Sequence, residues 1–262
     1  MKSRTPLIAW LLAAYAFLYA PIAFLVAFSF NDARLVTSWA GFSVRWYGAL
    51  WHDDKLLQAA ALSLRIAAAS ATFAVIIGTS AALALSRFGR FRGRAWLDAC
   101  LAAPLVLPDV IIGLSMLLLF ITLDQAFGWP AGRGALTITL AHASVSVAYV
   151  VVVIQARLTG LTVALEEAAA DLYASPLEVF ARVTLPLLAP ALISGWLLAF
   201  TLSLDDVVIA SFTSGPGAST LPMVVFSAMR LGPTPELYAL ATLIVAVAAS
   251  FLAIAWKLGR RA

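Results

Sequence analysis

Six apolar runs alternate with short polar connections along the chain, at 7–30, 59–85, 97–123, 135–154, 187–212 and 237–256. A helix rises 1.5 Å per residue, so about 20 apolar residues are needed to cross a hydrocarbon layer of about 30 Å. The pattern therefore predicts an all-α integral membrane protein with six transmembrane helices in a single domain, 1–262. The first run follows Lys2 and Arg4 and exceeds the apolar core of about 7–15 residues found in secretory signals. It is expected to be a retained anchor. The third run contains Pro104 and Pro108. Proline removes a backbone donor and crowds the preceding turn, so this span is expected to be kinked or broken. Carbonyls freed there must face protein or water rather than lipid.

Composition agrees with lipid as the main solvent. Apolar types make up 63% of residues and charged types 11%, against about 25% charged in soluble domains. The formal charge of +4 then reflects topology rather than nucleic-acid binding, because cytoplasmic flanks collect Lys and Arg. With both termini inside, the cytoplasmic side holds Lys2, Arg4, Arg87, Arg90, Arg92, Arg94, Arg157, Arg182, Lys257, Arg260 and Arg261. The outer side holds Arg34, Arg45, Lys55, Arg65, Arg133 and Arg230. The cytoplasmic excess predicts both ends in the cytoplasm. The basic run 86–94 becomes a topological stop that meets anionic lipid only incidentally. Trp39, Trp46, Tyr47 and Trp51 in the connection 31–58 suit an interfacial aromatic belt on the outer face. Cys100, the single cysteine, excludes an intrachain disulfide and reads as packing. No cluster of His, Cys or Glu suits a metal, and no nucleophile stands beside a base, which disfavours a membrane enzyme. The spans carry no internal repeat of the kind common in secondary transporters.

One connection carries more charge than a turn requires. Segment 166–190 holds Glu166, Glu167, Asp171, Glu178 and Arg182 between two long apolar runs, and it predicts a docking device. Its first part places Leu161, Leu165, Ala168, Ala169 and Leu172 on one helical face, with Glu166, Glu167 and Asp171 mostly elsewhere. Ser175-Pro176-Leu177-Glu178 then starts a second helix with a capping box and proline at its first position. Pro186 and Pro190 are expected to end that helix and steer the chain into the fifth span. The product is a helix-turn-helix elbow over 162–186.

The spacing resembles the EAA motif of ABC-importer permeases. Glu167-Ala168-Ala169 is followed at the family's spacing by Tyr173, Val183 and Leu185-Pro186. Val183 replaces an isoleucine. Tyr173 stands where the family has a glycine at a left-handed helix end; a tyrosine in that backbone costs about 1 kcal/mol. From Ala103 to the C-terminus, segments such as APLVLPDVIIGLSMLLLF resemble the polyamine branch of these permeases. The resemblance implies a type I ABC-importer permease fold in a bacterial inner membrane, importing a polyamine, putrescine before spermidine, by alternating access. Ferric ion, sulfate or an amino acid are the alternative solutes. It also implies two ATP-binding cassette subunits, a second homologous permease and a periplasmic substrate-binding protein as partners. The residues it assigns to ATPase docking are Glu166, Glu167, Ala168, Ala169, Asp171, Leu172, Tyr173, Val183, Leu185 and Pro186. The chain has no GxxxxGK[ST] loop, so ATP is expected on the partner subunit and no cofactor on this chain.

Charges within the spans are the candidate substrate path, since each costs about 2.5–3.5 kcal/mol at a helix centre on insertion scales. Asp109 follows Pro108 near the middle of the third run, where it suits a dication or caps the restarting helix. Asp205 and Asp206 suit an outer cation vestibule, or one of them is neutralised by Arg65 of the second span. His142 reads as a hydrogen-bonded packing residue. Tyr149 and Trp196 offer cation–π surface or simple packing.

Overall fold

A computed structural model describes residues 5–33, 38–232 and 234–259. Lys2, Arg4, Arg34, Arg260 and Arg261 of the topology count lie outside them, as does the side chain of Lys257. Among the described residues the regular structure is helical, apart from one isolated antiparallel bridge between Asn31 and Phe42. The helices are α1 (Thr5–Phe28), α2 (Arg45–Leu50), α3 (Asp54–Arg87), α4 (Arg94–Val106), α5 (Asp109–Phe127) and α6 (Ala135–Thr159). There follow α7 (Ala164–Asp171), α8 (Pro176–Val179), a π-turn (Phe180–Thr184), α9 (Leu185–Asp205), α10 (Val208–Thr213), α11 (Leu221–Leu231) and α12 (Pro235–Gly259). Five described stretches, within α1, α3, α5, α6 and α8–α9, are long and apolar enough to cross a membrane. The sixth apolar run forms α12, of which Pro235–Ala246 is a described apolar stretch.

The chain divides into two compact units, 1–58 with 224–262, and 59–223. In the larger unit α6 is the central helix. Ile138, Val150, Ile154 and Leu158 along it are almost wholly buried. It packs against α9 through Leu188, Ala191, Gly195, Ala199 and Ser203, the buried stripe of that helix. Small residues let the backbones approach, as is usual between helices in lipid. A Cβ on Gly78 of α3 would lie 2.8 Å from the Val150 side chain, and one on Gly113 of α5 only 2.6 Å from Phe212.

Two of the six expected spans are not single helices. The third run consists of α4 and α5, with Leu107 and Pro108 both extended between them. Proline disfavours the helical region for the residue before it, so Pro108 sets the break, while Pro104 is accommodated inside α4. The fifth run stops at Asp205 and restarts at Val208. Here Asp206 accepts hydrogen bonds from the Ile209 and Ala210 amides, at 3.3 and 2.7 Å, and so satisfies donors that begin α10.

Pro186 and Pro190 do not end the second elbow helix. Helical structure is continuous from Pro176 to Asp205 through the π-turn. Pro186 would crowd the carbonyl one turn before it, and the widened turn directly ahead of Leu185 is where that crowding is relieved.

In the smaller unit the connection after α1 is organised by the buried Asn31. Its Oδ1 accepts from the Ala33 and Ala40 amides, its Nδ2 donates to Ser38, and its carbonyl accepts from Trp46 Nε1 at 2.8 Å. Tyr47 hydrogen-bonds Ser29 at 2.7 Å. Two of the expected belt aromatics are thus pins of this loop, while Trp39 and Trp51 are exposed.

Candidate functional site

The breaks that end α4 and α9 bring the intramembrane carboxylates together. A cavity of about 440 Å³ is lined by Asp109, His142, Tyr149, Ser203, Asp205 and Asp206, with apolar walls from Val145 and Leu202. Asp109 is the first residue of α5 and makes no side-chain cap of that helix. Asp109 and Asp205 are exposed to the cavity, and neither forms an ion pair among the described residues.

Asp206 is held differently. Besides the two α10 amides, its Oδ2 lies 3.1 Å from His142 Nε2, and His142 Nδ1 lies 2.7 Å from Ser203 Oγ. A carboxylate only accepts, so Nε2 carries the proton toward Asp206 and the Ser203 hydroxyl serves the other ring nitrogen. His142 is a buried, hydrogen-bonded residue as expected, but its partner comes from 64 positions away, which no local pattern announces. Arg65 is not the partner of either aspartate. It is exposed on α3 and enters no ion pair among the described residues. Tyr149 lines the cavity; Trp196 does not, stacking instead on Phe200 and donating Nε1 to Thr72.

The second feature is the elbow. The capping box forms: Glu178 accepts from the Ser175 amide and hydroxyl at 2.9 Å, and the Glu178 amide donates to Ser175 Oγ at 3.4 Å. Glu167, Ala168 and Asp171 are exposed, and so are Leu185 and Pro186. Leu172, Tyr173 and Leu177 are 82%, 98% and 76% exposed, an apolar cluster that no described residue covers. Ala169 and Val183 are half-buried and line a second cavity of about 350 Å³ with Leu172, Tyr173, Glu178 and Arg182. Glu166 differs from its neighbours by turning inward: Arg87 Nη2 and Thr184 Oγ1 donate to its Oε1 at 3.2 and 3.0 Å.

Tyr173 has φ of 63°, the single described non-glycine residue at positive φ. It closes α7 in the left-handed region, as the glycine spacing of the motif demanded. Tyr173→Gly is expected to raise elbow stability by about 1 kcal/mol, because glycine adopts this backbone without the Cβ clash. Tyr173→Ala should bring no such gain. Hydrogen exchange of the amides 169–175 in detergent, compared across the three proteins, reads the difference.

Comparison with known proteins places this arrangement. The family model described as binding-protein-dependent transport system inner membrane component matches residues 74–258. The putrescine transport system permease protein PotI of Escherichia coli K12 is 60% identical over 252 residues, covering 96% of this chain and 90% of the relative. The spermidine/putrescine transport system permease protein PotC of the same strain is 42% identical over 234 residues, covering 89% and 86%. The fold is shared with a crystal structure of a bacterial ABC transporter involved in import of the acidic polysaccharide alginate, at TM-score 0.67 and 18% identity, covering 100% of this chain and 98% of that one. The regular structure of the described residues is helical apart from the Asn31–Phe42 bridge, and their broken, apolar helices share the type I ABC-importer permease fold. This chain belongs to the family of binding-protein-dependent transport system inner membrane components, and is a transport permease rather than an enzyme.

Proposed function

We propose that this chain moves a polyamine, putrescine first, across the inner membrane, with the cavity between α5, α6 and α9–α10 as part of the path. The observation that carries the reading is the pair of carboxylates, Asp109 and Asp205, open to one cavity and ion-paired with no cation among the described residues. A diammonium chain satisfies both, and Tyr149 adds an aromatic face for an ammonium. The names of the relatives, putrescine and spermidine/putrescine permeases, favour the same solute class. An anion such as sulfate would meet like charge here.

The exposed cluster of Leu172, Tyr173 and Leu177, with Glu167, Ala168 and Asp171 beside it, is the surface we assign to an ATP-binding cassette subunit. Ala169 and Val183 line the adjoining hollow, and Leu185 and Pro186 carry the elbow into α9. On this reading the elbow and both termini face the cytoplasm, ATP is held by the partner subunits, a second permease completes the pore, and a periplasmic binding protein delivers solute. Closure of the ATP-binding subunits would then rock the spans between outward- and inward-facing states.

The test is ATP hydrolysis by the assembled transporter in proteoliposomes, with its binding protein loaded in turn with putrescine, spermidine, ferric ion, sulfate or an amino acid. Stimulation by the diamine above the others is expected. Stimulation by sulfate and not by diamines would overturn the assignment.

A further inference from the structure

At the base of the elbow, three side chains from separate elements meet on one carboxylate. Arg87 is the last residue of α3, Glu166 lies on α7, and Thr184 is the last residue of the π-turn. Arg87 Nη2 donates to Glu166 Oε1 at 3.2 Å, and its Nε lies 3.1 Å from Oε2 without aiming its hydrogen there. Thr184 Oγ1 donates to the same Oε1 at 3.0 Å. The Arg87 and Glu166 side chains are only 17% and 21% exposed, and Thr184 is buried. A groove of about 430 Å³ beside them is walled mainly by Leu83, Phe88, Val179 and Phe180. Arg90 and Arg92 of the same basic run are exposed, and Arg94 pairs with Asp98 at 3.8 Å. Arg87 is therefore the arginine of that run whose charge is spent inside the protein.

We propose that Arg87, Glu166 and Thr184 are positioning residues that transmit displacement of the elbow to two membrane helices, α3 and α9. The covalent path from α7 to α9 passes through the π-turn, where the helix is widened and its hydrogen-bond ladder altered. A push on the elbow alone would be partly absorbed there. Thr184 bridges that turn by bonding back to α7. To α3 the covalent path is long, since Arg87 and Glu166 are 79 residues apart; the ion pair supplies the short one. A partly desolvated pair also resists separation, because parting it strands a charge among the apolar walls of the groove. This inference rests on the reading that the elbow docks on an ATP-binding subunit.

The experiment uses the assembled transporter in proteoliposomes and reads three quantities: retention of the ATP-binding subunit, rate of ATP hydrolysis, and solute moved per ATP. Arg87→Gln is expected to keep the subunit and its hydrolysis while solute per ATP falls by about fivefold or more, the low end of measured site-to-site coupling. Thr184→Val should lower the ratio in the same direction by less. The charge-swapped pair, Arg87→Glu with Glu166→Arg, should recover much of what Arg87→Glu alone loses. An unchanged ratio in assembled Arg87→Gln overturns the proposal, as does a swap no better than the single change. Should Arg87→Gln fail to assemble, Thr184→Val decides: an unchanged ratio overturns the proposal and a lowered one supports it. The docking reading fails separately, if Leu172→Glu leaves retention of the ATP-binding subunit unaltered.

Discussion

Asp205→Asn is expected to raise the KM for diamine uptake by about thirtyfold, which is about 2 kcal/mol. Opposite unit charges about 4 Å apart interact by about 4 kcal/mol at an effective dielectric constant of about 20. Roughly half survives in the variant, since an amide oxygen still accepts from an ammonium and the open cavity admits water. Asparagine keeps the shape of the side chain, and Asp205 has no ion-pair partner among the described residues to lose. Assembly should therefore be unaffected. Asp109→Asn should weaken uptake at least as much. Asp109 is the first residue of α5, where the helix end carries about half a positive charge. Without the carboxylate, that helix end would face the incoming cation bare. Uptake of labelled putrescine by vesicles, as a function of solute concentration, separates KM from maximal rate. Parental KM in both variants would refute the assignment of the cavity.

Asp206→Ala is expected to act on the fold instead, destabilising the chain by about 3 kcal/mol, as removal of one partner from a buried pair does. It deprives three donors at once: the Ile209 and Ala210 amides and His142 Nε2. Asp206→Asn should cost less, because its amide oxygen still accepts. Cys100 is exposed rather than packed, so thermal unfolding in detergent is best followed by circular dichroism, which would rank Asp206→Ala below Asp206→Asn and both below Asp205→Asn. Equal midpoints for Asp205→Asn and Asp206→Ala would show that the two neighbours do not differ as their contacts require. Adjacent in sequence, they are expected to separate cleanly, one on uptake and one on stability.

These contrasts mark what was legible in the chain. Hydrophobic period and length were sufficient for an all-helical membrane fold, because each span must satisfy its own backbone hydrogen bonds in lipid. Pro108 announced the break between α4 and α5 through a steric rule that needs no neighbours. The break after Asp205 has no proline or glycine to announce it; an aspartate ahead of Val-Val-Ile was a legible cap, masked by the apolar run around it. The His142–Asp206 pair was not legible, since it joins α6 to the α9–α10 break only once those helices pack. Helical periodicity sorted the elbow residues into faces but could not say what each face meets. Glu166 falls off the apolar face together with the other acidic residues of the elbow, and only the fold shows that its carboxylate closes on Arg87 and Thr184. The apolar positions Leu165 and Leu172 are exposed. Pro186 stays inside a continuous helix for a related reason: a stop rule for α-helices does not hold where a π-turn makes room.

That π-turn fixes a bearing as well as a joint. Each residue of an α-helix advances the direction of its side chain by about 100°, and a single extra residue carried in a wider turn shifts the phase of everything beyond it. The stripe of Leu188, Ala191, Gly195, Ala199 and Ser203 is locked against α6, so α9 cannot rotate to absorb a change. Removing one residue between Phe180 and Thr184 would leave the membrane helix where it is and swing Tyr173 and Leu172 through roughly a quarter of a circle. The compass heading of the elbow is thus set by residue count in five positions.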